Sequence, residues 1–233
     1  MNKKRFLYFN IFLFTLLICF CSCEVPYDNN ARLLIKGLII DENNQPISGA
    51  EIKTYVVVET FFGSVDENIG ATLSQGDGRF EIISLLGRDE DFVIDVLVNQ
   101  NYTKYQYRTN LTDFTPTDYL IDLGQVPIRK KISFDLNVER VSPEGTELEY
   151  TLEYIIPDCR EVYFEEVLNE EESFCYRLNS YSGTLNDSNP NLSLNFISVL
   201  NSEVRFSYSI NGQPQINQQL IIDDFENELS FEY

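Results

Sequence analysis

The sequence predicts an all-β protein: two antiparallel β-sandwich domains in tandem. Three observations carry this reading. Apolar side chains recur at every second residue in stretch after stretch, as in Phe92, Ile94, Val96, Val98 and again in Ile132, Phe134, Leu136, Val138; this is the pattern of strands with one face on a core and the other in water. Clusters of Gly, Pro, Asn and Asp punctuate these stretches, and such residues favour turns. In the second half no 3.6-residue apolar period of a helix competes with this reading. A length of 233 residues accommodates two such domains.

The N-terminus is of another kind. Lys3, Lys4 and Arg5 precede an apolar run from Phe6 to Phe20 broken only by Asn10 and Thr15. That is a positive n-region followed by a secretory h-region. The alternative, an uncleaved transmembrane helix, needs roughly 20 apolar residues. The run ends in Phe20-Cys21-Ser22-Cys23, which resembles the lipobox of bacterial lipoproteins. The resemblance implies removal of residues 1–22 as a signal peptide and lipidation of Cys23, leaving residues 23–31 as a lipidated tether. Glu24 rather than Asp follows the lipidated position, so the anchor is expected in the outer membrane, on a face the sequence leaves open.

The first domain is expected over residues 32–129. Leu33-Leu34-Ile35 and Leu38-Ile39-Ile40 flank Lys36-Gly37, and the run stops at the turn formers Asp41-Glu42-Asn43-Asn44-Gln45-Pro46. Ile47-Ser48-Gly49-Ala50 leads into Glu51–Val56, with Ile52 and Val56 on one strand face. Ser74-Gln75-Gly76-Asp77-Gly78 is the next turn and delivers Arg79-Phe80-Glu81-Ile82. The glycines supply backbone angles that side chains penalise. Phe92–Val98 is a strand, Tyr102–Arg108 another, and Leu120, Leu123, Val126 and Ile128 close the domain.

These residues carry a resemblance. Lys36-Gly37-Leu38-Ile39-Ile40-Asp41, then Gln45-Pro46-Ile47-Ser48-Gly49-Ala50-Glu51-Ile52, then Gly76-Asp77-Gly78-Arg79-Phe80 are similar to the carboxypeptidase regulatory-like domain. The resemblance spans about residues 31–128 and implies a seven-stranded prealbumin-like sandwich. It departs from the family by a longer insert, Glu59 to Ala71. In that family the domain is an accessory and holds no catalytic residue, so no site residue is carried over.

Lys130-Lys131 marks the seam to a second sandwich, residues 130–233. Its strands alternate cleanly: Ile132 to Val138, Leu148 to Ile156, Leu192 to Phe196 and Val204 to Ile210, then Leu220-Ile221-Ile222 and Leu229 to Tyr233. Ser142-Pro143-Glu144-Gly145 and Asn211-Gly212 are the turn signals between them.

Composition excludes several functions. There is no histidine, which removes Ser-His-Asp and Cys-His machinery and an imidazole base near neutral pH. Catalysis would fall to carboxylates, Lys or Tyr, and the acidic pairs Asp223-Asp224 and Asp89-Glu90-Asp91 are neighbours that strands send to opposite faces. The expectation is a non-enzymatic protein without a cofactor. Cleavage before Cys23 removes three positive charges and no negative one, leaving 37 acidic against 14 basic side chains, net −23. Nucleic acid is thereby an unsuited partner, since phosphate needs clustered Lys and Arg.

Cys159 and Cys175 remain as an even pair in an oxidising compartment, and the expectation is a disulfide, with two buried free thiols as the alternative. Between them lie Glu161, Glu165, Glu166, Glu170, Glu171 and Glu172. They offer oxygens for calcium in number, without the alternating Asp/Asn spacing of a calcium loop; solvated glutamates are the other reading. Candidate ligand-facing residues for a glycan or peptide are Tyr102, Tyr105, Tyr107 and Arg108, where Tyr offers a stacking face and a hydroxyl, with Phe61 and Phe62 of the insert. The competing reading packs Tyr105 and Tyr107 inward. The functional expectation is a lipid-anchored envelope module that binds a protein partner, or else a glycan- or peptide-binding surface lipoprotein.

Overall fold

A computed structural model describes residues 27–61, 63–87, 91–223 and 227–233. The expected signal segment, with Cys23, and Phe62 lie outside the described residues. The protein is all-β. Its first seven strands are β1 (Tyr27–Ile40), β2 (Glu51–Thr60), β3 (Gly63–Leu73), β4 (Arg79–Gly87), β5 (Asp91–Leu97), β6 (Lys104–Asn110) and β7 (Leu120–Pro127). They form two layers, β4-β1-β7 and β3-β2-β5-β6. Leu33, Ile35 and Ile39 of β1, with Phe80 of β4, pack against Ile52 and Val56 of β2 and Phe92 and Ile94 of β5. Tyr27–Ala31, expected in the tether, already belong to β1. The segment Glu59 to Ala71, expected as an insert, instead continues β2 and β3 into one long hairpin, paired from Glu51↔Leu73 out to Thr60↔Gly63.

The remaining strands are β8 (Lys131–Glu139), β9 (Leu148–Ile155), β10 (Asp158–Phe164), β11 (Val167–Leu168), β12 (Phe174–Cys175), β13 (Leu178–Leu185), β14 (Leu192–Val199), β15 (Glu203–Ile210), β16 (Ile216–Ile221) and β17 (Asn227–Glu232). A second sandwich pairs β14-β8-β17 with β13-β9-β15-β16. Phe134, Leu136, Leu152, Val204 and Phe206, all buried, are at its centre. Setting β10 to β12 aside and counting strands within each half, both sandwiches have the same layer orders, 4-1-7 and 3-2-5-6. The two halves are therefore one fold used twice, which no residue pattern in the sequence announces.

Three pairings depart from the antiparallel expectation, one within each half and one between them. β1 runs parallel to β7, with Leu34 opposite Leu120, and β8 runs parallel to β17, with Leu136 opposite Leu229. In each half the last strand returns beside the first in the same direction.

The larger departure concerns the boundary at 129/130. Between β9 and β13 the chain leaves the second sandwich, and β10 adds to the first as a parallel neighbour of β6, from Asp158↔Lys104 to Tyr163↔Thr109. β11 and β12 both fold back on β10. The physical reason is that β6 would otherwise be an edge, with alternate N–H and C=O groups unpaired. Residues 158–175 thus complete the sheet of the other half. The seam is also tied by hydrogen bonds from Thr103 N to Arg129 O (2.8 Å), Lys131 N to Asn101 O (2.7 Å) and Tyr176 OH to Pro127 O (2.6 Å). The Arg129 guanidinium lies 4.5 Å from the Tyr176 ring centroid, a cation–π contact across the same joint.

One glycine is fixed by geometry. Gly78 has φ +78°, and a Cβ there would come 2.7 Å from Ile39 O and 2.8 Å from Pro46 Cβ. Its carbonyl accepts from Ile39 N at 2.9 Å, so it cannot retreat freely. Gly78→Ala is expected to cost at least about 1–3 kcal/mol from the left-handed backbone, with the steric overlap in addition. Chemical denaturation of the variant against the parent measures this; an unchanged midpoint would refute the assigned turn.

Candidate functional site

The sheets of the first sandwich part between β6 and β7, leaving a cleft of about 350 Å³. Its floor is aromatic and aliphatic: Tyr105 and Tyr107 from β6, Tyr163 from β10, Phe114 from the β6–β7 loop, Leu120 and Leu123 from β7. Its rim carries Asp118, Asp122 and Glu166, and no Lys or Arg lines it. Tyr163 and Glu166 come from the second half of the chain, so the docking of β10 on β6 supplies part of the cleft wall.

The tyrosines are held as a set. The Tyr107 and Tyr163 rings stack with centroids 4.7 Å apart and planes 24° apart. Tyr105 OH donates to Glu161 Oε2 at 2.6 Å, and Tyr163 OH donates to the same oxygen at 3.2 Å. One carboxylate of the acidic loop therefore serves as acceptor for two phenols on neighbouring strands.

The mouth is built from two left-handed turns. Asp118 and Tyr119 have φ 56° and 54°, and Glu165 and Glu166 have φ 49° and 65°. The second pair is the two-residue loop between β10 and β11, where Asn-Gly would be the comfortable choice. Its two glutamates are held in a conformation that side chains resist. The Glu166 carboxylate meets the opposite turn, accepting from Thr117 N at 2.8 Å and Thr117 Oγ1 at 3.3 Å. This latch joins the halves over the cleft. Asp122 pairs with Lys36 at 3.2 Å; its pKa is lowered, first by the Gly124 N–H and then by Lys36, so this carboxylate stays charged.

Burial raises the tyrosine pKa values. Tyr105 is raised by burial first and then by its hydrogen bond to Glu161, and Tyr107 by burial and then Tyr163. Tyr163 is pushed up to about 12, by burial and then by Glu161. A tyrosine with a folded pKa above its unfolded value keeps its proton longer in the native state. Its contribution is whole below pH 10 and drains away as pH rises through the folded values. The expected outcome is that these rings give no tyrosinate absorbance near pH 10 and ionise together with unfolding at higher pH. Independent titration of all tyrosines near pH 10 would contradict this.

The structure sorts the expected site residues. Tyr105 and Tyr107 are buried and turned into the cleft floor, so the inward reading holds for both rings. Tyr102 is half-buried and bridges to Lys130 at the seam. Arg108 pairs with Asp91 at 2.9 Å. Phe61 is 96% exposed at the tip of the β2–β3 hairpin, on the opposite side of the sheet from β6. The cleft therefore unites Tyr105 and Tyr107 but not Tyr102, Arg108 or Phe61. Cys159 and Cys175, opposite one another on β10 and β12, are bonded as a disulfide. Of the acidic loop, Glu161 binds the phenols, Glu166 binds Thr117, and Glu172 accepts from Asn169 Nδ2 at 2.9 Å. Among the described residues no three acidic or cysteine side chains gather as a metal site.

Tyr163, Phe114, Asp118 and Asp122 escaped sequence reasoning. The only available signal for Tyr163 was the alternation Cys159, Glu161, Tyr163, masked by the surrounding glutamates.

No family model matches the chain, and no curated protein matches it. Among solved structures it is similar to the shaft pilin SpaA from Lactobacillus rhamnosus GG (8% identity, 87% of this chain and 98% of that one, TM-score 0.31). It is also similar to the Bacillus anthracis TIE protein (12% identity, 88% and 34%, TM-score 0.33) and to a 9R-lipoxygenase from Cyanothece (16% identity, 46% and 18%, TM-score 0.30). The chain spans about a third of the TIE chain and under a fifth of the lipoxygenase chain. Likenesses at these TM-scores carry no argument; the fold rests on the strand orders given above.

Proposed function

We propose that the chain is a lipid-anchored cell-envelope protein, held at the outer membrane through Cys23, that serves as an interaction and scaffold module rather than as an enzyme. Its first sandwich is read as a carboxypeptidase regulatory-like domain and its partner as another envelope protein. The observation that carries the reading is the docking of β10 on β6. It makes one continuous sheet from both halves and assembles a cleft whose rim holds carboxylates occupied by Thr117 and Lys36. Such carboxylates suit recognition better than proton transfer, which needs a group free to exchange its proton.

The test places a photocrosslinking amino acid at Leu123, on the cleft, and at Ser64, on the exposed β2–β3 hairpin, in intact cells. Capture of one discrete envelope protein from Leu123 and not from Ser64 is the expected result. Absence of any adduct at Leu123, together with an intact mass showing no acyl group on Cys23, would overturn it.

A second reading, a glycan- or peptide-binding lipoprotein, is favoured by the lining itself. An aromatic floor under an acidic rim suits a cationic peptide rather than an acidic glycan. Titration with Lys- or Arg-bearing peptides, followed by chemical shifts of Tyr105, Tyr107 and Tyr163, separates the two readings.

A further inference from the structure

The repeated topology allows one half to be read against the other. In the first sandwich the 3-2-5-6 sheet does not end at its sixth strand, because β10 covers β6. The equivalent strand of the second sandwich is β16. It pairs with β15 on one side, from Glu203↔Ile221 to Tyr208↔Ile216, and among the described residues no strand pairs with its other side.

β16 also lacks the devices that keep edges apart, such as charge, an internal proline or a bulge. From Phe206 to Ile222 the chain has no charged side chain, in a protein of net charge −20. Ile216 and Ile221 are 52% and 56% exposed on this strand. The edges β3, β4, β7 and β17 each carry at least one acidic residue. β13 and β14 are uncharged too, but their counterparts in the first sandwich, β3 and β4, take no added strand on their outer sides. Only the sixth-strand edge has a covered equivalent.

We infer that β16 pairs with β16 of a second copy of this chain, joining two four-stranded sheets into one. Like-charged copies repel wherever carboxylates meet, and this neutral strand is where two of them can approach without burying an acid. A two-fold axis perpendicular to the sheet makes the strands antiparallel and keeps each face on its own side. Opposed residues must then have the same facing, so the axis passes at Gln218 or at Gln219. With the axis at Gln218, Ile216 meets Leu220 of the second copy on the core side, and Asn217 meets Gln219 on the outer side. Asp223 then lies beyond the ends of the ladder, away from its own counterpart.

The test uses the purified full-length chain with Cys19, Cys21 and Cys23 replaced by serine and carrying Gln218→Cys or Gln219→Cys, with Ala71→Cys on β3 as the comparison edge. The expected result is a reducible species of twice the mass from one or both β16 positions, none from Ala71→Cys, and its loss when Asn217→Lys is added with the melting temperature unchanged. No doubled mass at either β16 position, or equal crosslinking at β3, would overturn the inference. So would a covalent adduct with a different protein on expression in cells, because it would put a foreign strand on this edge.

Discussion

Replacing Phe206 with alanine is expected to cost about 3–5 kcal/mol, the range for truncating a fully buried phenylalanine. Phe206 is 0% exposed, and its ring lies 6.1 Å from Tyr150, 5.6 Å from Tyr208 and 5.6 Å from Phe231. It joins β15 to β9 and β17, across both layers. The larger consequence is where the loss is felt. Because β10 to β12 emerge between β9 and β13, loosening the second sandwich also frees the strand that covers β6. Calorimetry is therefore expected to show one transition moved down as a whole. Two separated transitions, with the first sandwich melting as in the parent, would refute the coupling.

The second large effect concerns Cys159 and Cys175. A Cys159→Ala, Cys175→Ala double variant is expected to lose about 3 kcal/mol, the chain-entropy value for a closed loop of this size. For a chain of this length that is about 6–12 °C in Tm. Cys159 is itself part of the first core, and alanine avoids burying a hydroxyl there. The parent protein under reducing conditions is expected to fall by a similar amount, and amide exchange over Lys104–Asn110 is expected to quicken as β10 detaches more often. Unchanged melting in the double variant would refute the assigned role of the bridge.

The sequence makes the individual strands legible because period-two alternation reports which side chains face a core. Phe134, Leu136 and Val138 are buried as the pattern requires. Asn211 and Gly212 form their hairpin turn with both φ values positive. The cysteine pair was legible from parity and the expected compartment. Alternation says nothing of which strand lies alongside, and it was there that the reading failed. β10 looks like a member of its own half, and its glutamates look solvated, whereas Glu161 and Glu166 anchor a cross-sheet network. The parallel pairs β1–β7 and β8–β17 are equally silent, since parallel and antiparallel neighbours present the same side-chain periodicity. Tyr105 and Tyr107 allowed two readings because an amphipathic ring suits a core and a ligand alike; the docked strand beside them made the choice.

The passage of β10 back to β6 also imposes an order of assembly. As the chain emerges from its N-terminus, β1 to β7 can pair while β6 stays bare, and the edge remains open until Asp158–Phe164 arrive. Cys159 is buried in the core once they dock, whereas its partner Cys175 stays exposed on β12. The first half is thus born incomplete, and a chain truncated after Arg129 is expected to seek a stranger's strand where its own should lie.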